Sequence, residues 1–189
     1  MIKSLKQRID DAVKEEIEIV PYNPDWLNLF VKEKETLINK LPKHLIIRIE
    51  HFGSTAIPGI AAKPIIDILV EVYSLDETKK HIVPILKKEG YDYFWRPVNN
   101  DNNSPHYAWF IKRDSKGKRT HHIHMVEKDS VLWNDLIFRD CLRESTVVAK
   151  RYEELKFSLE KKFKNDRIRY TEGKTEFVNA VVKKAKKYY

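Results

Sequence analysis

The apolar residues of this 189-residue chain change spacing along its length, and each change predicts an element. Residues 3–14 carry a weak helical period, and 16–21 read as a short extended lead-in. Asn23-Pro24-Asp25 has the chemistry of a helix start, with Asn as the cap and Pro at the first helical position. The helix that follows spaces Trp26, Leu29, Phe30, Leu37 and Leu41 for burial. Apolar runs at about 45–52 and 65–73 predict strands, the second with one acid, Asp67, inside it. Ser74 with Glu77 forms a capping box for a helix that ends near Gly90. Residues 96–105, RPVNNDNNSP, have no period and predict a polar loop. Tyr107–Lys112 and Thr120–Val126 read as two strands joined by a turn that contains Gly117.

Beyond Ser130 the spacing is mostly helical. Leu132, Trp133, Leu136 and Ile137 share one face, as do Tyr152, Leu155, Leu159 and Phe163. Thr171 is expected to cap a last helix that turns Phe177, Val178, Val181, Val182 and Ala185 inward. The expected fold class is α+β in a single domain over 1–189, with a mixed sheet of four or five strands, flanking helices, a hairpin at one side and a C-terminal helical cap.

Composition narrows the class of protein. No apolar run approaches the roughly 18 residues of a membrane span, and the first residues are too charged for a secretory signal. A lone cysteine, Cys141, excludes an intrachain disulfide and reads as a packed bystander, so a cytoplasmic location is expected. The net charge of +8 is concentrated at one end, where residues 150–189 hold 13 Lys or Arg against 6 Asp or Glu. A basic flank suits an anionic partner such as a nucleotide, a phosphorylated small molecule or RNA, and is equally the pattern of a solvated helix face. Nucleic acid is the less favoured partner, because no RNA-binding signature with interleaved aromatics accompanies the lysines.

Candidate chemistry gathers between Glu50 and Val72. A carboxylate within an apolar strand is costly unless something binds it, which singles out Asp67. Gly53-Ser54, at the end of the preceding strand, can turn sharply and offer N–H groups to a phosphate, with Thr55 next in line. A nucleotidyltransferase pattern places Gly-Ser, a dozen or so residues, then acid–apolar–acid, because carboxylates at i and i+2 share a strand face and can hold two metal ions. Here twelve residues separate Ser54 from Asp67, but Leu69 stands at the second acid position. Glu71 shares the face and lies about 13 Å farther along by strand rise, too far to share an ion pair of metals with Asp67. His122 and His124 have the same i, i+2 spacing in their own strand. If that strand adjoins the Asp67 strand, one carboxylate and two imidazoles meet around one divalent ion, Mg²⁺ or Mn²⁺ in a phosphoryl-transfer site. A metal-free role for either histidine, protonating a leaving group or contacting phosphate, stays open beside a structural one. Lys63, before Asp67, and Lys174, at the start of the last helix, are the candidate phosphate partners. Arg119 and Arg139 are weaker candidates, each compatible with an ordinary ion pair.

Four segments in order, IEHFGSTAIPGIAAKPIIDI, HHIHMV, LIFRDCLR and YTEGKTEFV, resemble the GrpB family over about residues 15–187. The resemblance implies a nucleotidyltransferase-like fold with Gly53, Ser54 and Asp67 at that superfamily's signature positions, and Leu69 departs from its active pattern. Fusion of the family to dephospho-CoA kinase in some bacteria implies an association with coenzyme A metabolism, although this chain has no P-loop and is not that kinase. Two functions are therefore expected in competition. One is metal-dependent transfer of a nucleotidyl group, with Asp67, His122 and His124 as catalytic and metal residues and Gly53, Ser54, Thr55, Lys63 and Lys174 on the nucleotide. The other is a non-catalytic nucleotide- or phosphate-binding module.

Overall fold

The structure, a computed structural model, describes residues 15–98 and 103–187. The helical period at 3–14 and the middle of the 96–105 loop lie outside the described residues. Helix α1 (Asp25–Lys40) begins one residue later than its sequence predicts, with Pro24 at the cap position, and the Asp25 N–H donates to Asn23 Oδ1 at 2.9 Å. Trp26, Phe30 and Leu37 are buried along one stripe, with Leu41 just past its end. Leu29 is the exception, 41% exposed. At 3.6 residues per turn it sits about 60° from Trp26, at the margin of a stripe whose remaining inward position belongs to Glu33.

Five strands follow: β1 (Ile46–Phe52), β2 (Ile66–Val72), β3 (Asp92–Pro97), β4 (His106–Arg113) and β5 (Arg119–Val126). They form one sheet in the order β1-β2-β5-β4-β3. β2 and β5 run parallel, and every other neighbouring pair is antiparallel. A parallel pair needs a long crossover, supplied here by helix α2 and the β3–β4 pair. Helix α2 is composite, α-helical over Leu75–Glu77, π-helical over Thr78–Ile82 and α-helical again over Val83–Lys88. Ser74 Oγ accepts the Glu77 N–H at 3.4 Å, the cap its sequence predicts. β3 was not separable from the polar loop by pattern: as an edge strand it buries only Phe94, so period two never shows.

Period two elsewhere divides the molecule. Ile66, Ile68, Val70 and Val72 of β2, with Ile123 and Met125 of β5, face α1 and α2 and build the main core. Asp67, Leu69, His122 and His124 therefore face the other side. That side is shared with α3 (Asn134–Glu144), α4 (Thr146–Phe163), α5 (Arg167–Glu172) and α6 (Thr175–Ala185). Phe138, Leu142, Tyr152 and Val182 from these helices pack on Ile57 and Ile60 of the β1–β2 loop, with Cys141 half-buried beside them. Thr171 does not cap the last helix. It lies inside α5, which is capped by Asp166 through the Arg169 N–H at 3.1 Å, and α6 begins only at Thr175 with Lys174 at its cap position. Among the described residues, no helix is long and apolar enough to cross a membrane.

Candidate functional site

Between the sheet and the C-terminal helices lies a cleft of about 780 Å³. Its floor comes from the central strands. The β2–β5 register sets Asp67 opposite His122 and Leu69 opposite His124, so all four side chains share one face. Ligating atoms of Asp67, His122 and His124 lie within 4.8 Å of one another. His122 Nδ1 is 3.0 Å from Asp67 Oδ1, and His122 Nε2 is 3.4 Å from Arg119 Nη1. His124 is stacked on Tyr107 with ring centroids 5.5 Å apart and takes the edge of Phe52 at 5.1 Å. Its Nδ1 and the Trp109 Nε1 are buried without a hydrogen-bond partner among the described residues.

Burial pushes the Asp67 carboxyl upward, but its hydrogen bond with His122 and the charges of His122, His124 and Lys63 together outweigh this and the carboxyl falls to about 2. Burial drives His122 down to about 4 and His124 to about 3, against the pull of Asp67. At neutral pH the floor is one carboxylate and two neutral imidazoles, the protonation states in which all three can ligate an ion.

Gly53 is held against this carboxylate. Its backbone sits at φ 70°, ψ −171°, a conformation essentially restricted to glycine. A methyl group there would stand 2.5 Å from Asp67 Oδ2. Ser54 borders the cleft, as does Tyr152. Thr55 is buried, its Oγ1 donating to the Ile65 carbonyl at 3.2 Å and lying 3.0 Å from His51 Nε2, so its hydroxyl serves the loop.

One wall is cationic. Lys63 and Lys174 converge on Tyr170, their Nζ atoms 5.0 and 4.9 Å from the ring centroid. Neither makes an ion pair among the described residues, and burial lowers both, Lys63 furthest because Lys174 and Arg167 oppose its charge. Arg119 and Arg167 also line the cleft, and both are partnered by Glu15, at 2.7 and 3.6 Å. Arg139 is elsewhere. Buried, it donates to Glu50 at 3.0 Å and to the His51 carbonyl at 2.8 Å, clamping α3 to β1.

The cleft is also lined by aromatic residues, Tyr107 and Trp109 of β4, with the Arg96 guanidinium 4.7 Å from the Trp109 ring. Sequence reasoning passed over these residues, although the hairpin held the signal: the β4–β5 register sets Trp109 opposite His124. Asp135, in the first turn of α3, was also passed over. It lines the same cleft, and burial followed by the Asp67 charge raises its carboxyl to about 6. An acid in the first turn of a helix is too ordinary to flag.

A five-stranded mixed sheet with a C-terminal helical cover, carrying one acid and two histidines on its central strands, defines an α+β protein with a cleft lined by charged and aromatic side chains. The chain belongs to the GrpB family, whose model matches residues 16–184 under the description "GrpB protein". It is 42% identical to the glutamate-rich protein GrpB of Alkalihalophilus pseudofirmus, covering 89% of this chain and 95% of that one. It is 36% identical to the YqkA protein of Bacillus subtilis, covering 93% of this chain and 49% of that longer one. A crystal structure of the conserved protein GrpB from Enterococcus faecalis is 31% identical and superposes with a TM-score of 0.75 over 90% of this chain and 99% of that one. A shorter match, 34% identical over 37% of this chain and 18% of the relative, reaches a dephospho-CoA kinase of Mycolicibacterium paratuberculosis.

Proposed function

We propose that the cleft binds a nucleotide or related phosphorylated small molecule, with a divalent ion at Asp67, His122 and His124, and transfers a nucleotidyl group to a small acceptor. The observation that carries this reading is a pair of cleft lysines, Lys63 and Lys174, that make no ion pair among the described residues and face the same space as the three candidate ligands. Buried cations without anions are costly, and phosphate oxygens are the partners that would relieve them. Trp109, half-buried at the cleft, offers a face on which a planar base could stack.

In such a transfer, the acceptor oxygen bonds to the α-phosphorus, the bond to the departing pyrophosphate breaks, and the acceptor proton passes to a base. Asp135 is the carboxylate of the cleft suited to take it, being ionised at neutral pH yet raised toward it. A bound ion would supply Lewis acidity toward the phosphate, and Lys63 and Lys174 would hold charge that shifts to the leaving group. One observation favours the second reading, a phosphate-binding module without chemistry: Leu69, at the second acid position, is fully buried. The match to a dephospho-CoA kinase makes coenzyme A precursors reasonable ligands to include.

The test is a thermal-shift and calorimetric screen of nucleotides and coenzyme A precursors, with and without divalent ions, on wild type, Asp67→Asn and Lys174→Met. Expected are a metal-dependent shift that Asp67→Asn abolishes and an affinity loss of about tenfold or more in Lys174→Met, the scale of one charge-assisted contact. A shift indifferent to metal and to Asp67 selects the binding module. No shift with any phosphorylated ligand rejects both.

A further inference from the structure

We infer that the centre formed by Asp67, His122 and His124 selects a single nitrogen-preferring transition ion, of the Zn²⁺, Co²⁺ or Fe²⁺ class, over Mg²⁺. This rests on the metal assignment proposed above and specifies which ion. The two central strands present four side chains as a square on one face, Asp67 beside His122 and Leu69 beside His124. Three corners can ligate and the fourth cannot, since Leu69 is fully buried hydrocarbon. One ion can be held, not two.

The donors are one carboxylate and two imidazoles. Mg²⁺ demands near-octahedral oxygen and keeps much of its water, whereas imidazole suits zinc, copper, iron and nickel. Three protein ligands with positions left open is also the pattern of catalytic rather than structural ions. The rings are positioned for this. His122 Nδ1 lies 3.0 Å from Asp67 Oδ1. That separation is about the ligand–ligand spacing around an ion with bonds near 2.0–2.1 Å. Ligation through Nδ1 would move the ring proton to Nε2, which would then have to turn from the Arg119 guanidinium 3.4 Å away. His124, fixed by stacking on Tyr107, buries an Nδ1 for which the described residues supply no partner. An ion here would replace the Asp67–His122 hydrogen bond without rearranging the strands.

The test uses the full chain stripped with chelator and then dialysed against Co²⁺, Zn²⁺, Mn²⁺ or Mg²⁺, with bound metal counted per chain. Expected is one equivalent of Co²⁺ or Zn²⁺, bound at least ~100-fold more tightly than Mg²⁺. The Co²⁺ form should show visible absorption bands that weaken or vanish in Asp67→Asn and His124→Gln. Because His124 is packed, wild-type protein gives the independent check: pulsed electron paramagnetic resonance on the Mn²⁺-loaded or Cu²⁺-loaded chain should detect imidazole nitrogen at the ion. Displacement of Co²⁺ by equimolar Mg²⁺, two equivalents per chain, or an ion without nitrogen ligands would overturn the selectivity. If Mg²⁺ alone then supported phosphate-ligand binding, the proposed function would survive this failure. No ion bound under any condition would remove the metal from both.

Discussion

At Gly53 a single missing methyl keeps the Asp67 carboxylate in place, because backbone and acid approach too closely for any side chain between them. Gly53→Ala is expected to destabilise the fold by about 1–3 kcal/mol through its backbone conformation alone. It should also displace Asp67 and weaken ion binding more than its loss of stability accounts for, which urea denaturation and metal titration on the same sample would separate. A second residue reports on pH. Lys156 is buried beneath the β1–β2 loop, donates to the Ala61 carbonyl, and is driven down to about 7 by burial, against the pull of Glu153. The unfolded chain holds this proton up to about 10.5, so between about 7 and 10.5 it binds more protons than the folded chain. Stability from this group therefore rises with pH across that window and is least below it. Denaturation midpoints followed from pH 7 to 10 should climb less in Lys156→Met than in wild type; parallel curves would refute the assignment. At this scale the shared face of His122 and His124 was legible from strand spacing, but their place beside Asp67 was not, because it depends on β5 pairing with β2. Nor was Asp135, since only tertiary packing brings its helix over Asp67.

Between elements, one buried acid joins three. Glu33 of α1 accepts from the Tyr91 hydroxyl, just before β3, and from Lys112 of β4. It occupies an inward position of the α1 stripe, between Phe30 and Leu37. Removing one partner of such a pair strands the others. Glu33→Ala is expected to cost about 3–5 kcal/mol in urea unfolding, and Tyr91→Phe about 1 kcal/mol, with the site's ion affinity unchanged in the folded fraction. Strands with a buried face, β1, β2, β4 and β5, announced themselves in sequence, and β3, at the sheet edge, did not. The α5–α6 junction misled for another reason. Thr171 has the chemistry of a cap, but Gly173 packs directly against the Leu159 side chain, so packing rather than capping sets where the chain turns.

Across the whole molecule the charge is divided between surface and cleft. The lysines at the C-terminal end, Lys183, Lys184, Lys186 and Lys187, are exposed, whereas the cations lining the cleft, Lys63, Arg96, Arg119, Arg167 and Lys174, come from four separate stretches of chain. Net charge thus pointed to an anionic partner without locating it. Glu15 helps to explain why: it pairs with Arg113, Arg119 and Arg167 and neutralises part of the wall, whereas Lys63 and Lys174 make no ion pair among the described residues. The parallel pairing of β2 with β5 has a further consequence, in time rather than in space. Asp67 and His122 lie 55 positions apart, and the segment between them must close a loop before the strands can meet. Closing so long a loop is entropically slower than forming local contacts, so this pairing is expected after the β3–β4 and β4–β5 hairpins have formed. A nascent or partly folded chain has no such centre with which to capture an ion. Occupancy of the centre would then mark only chains that have finished folding.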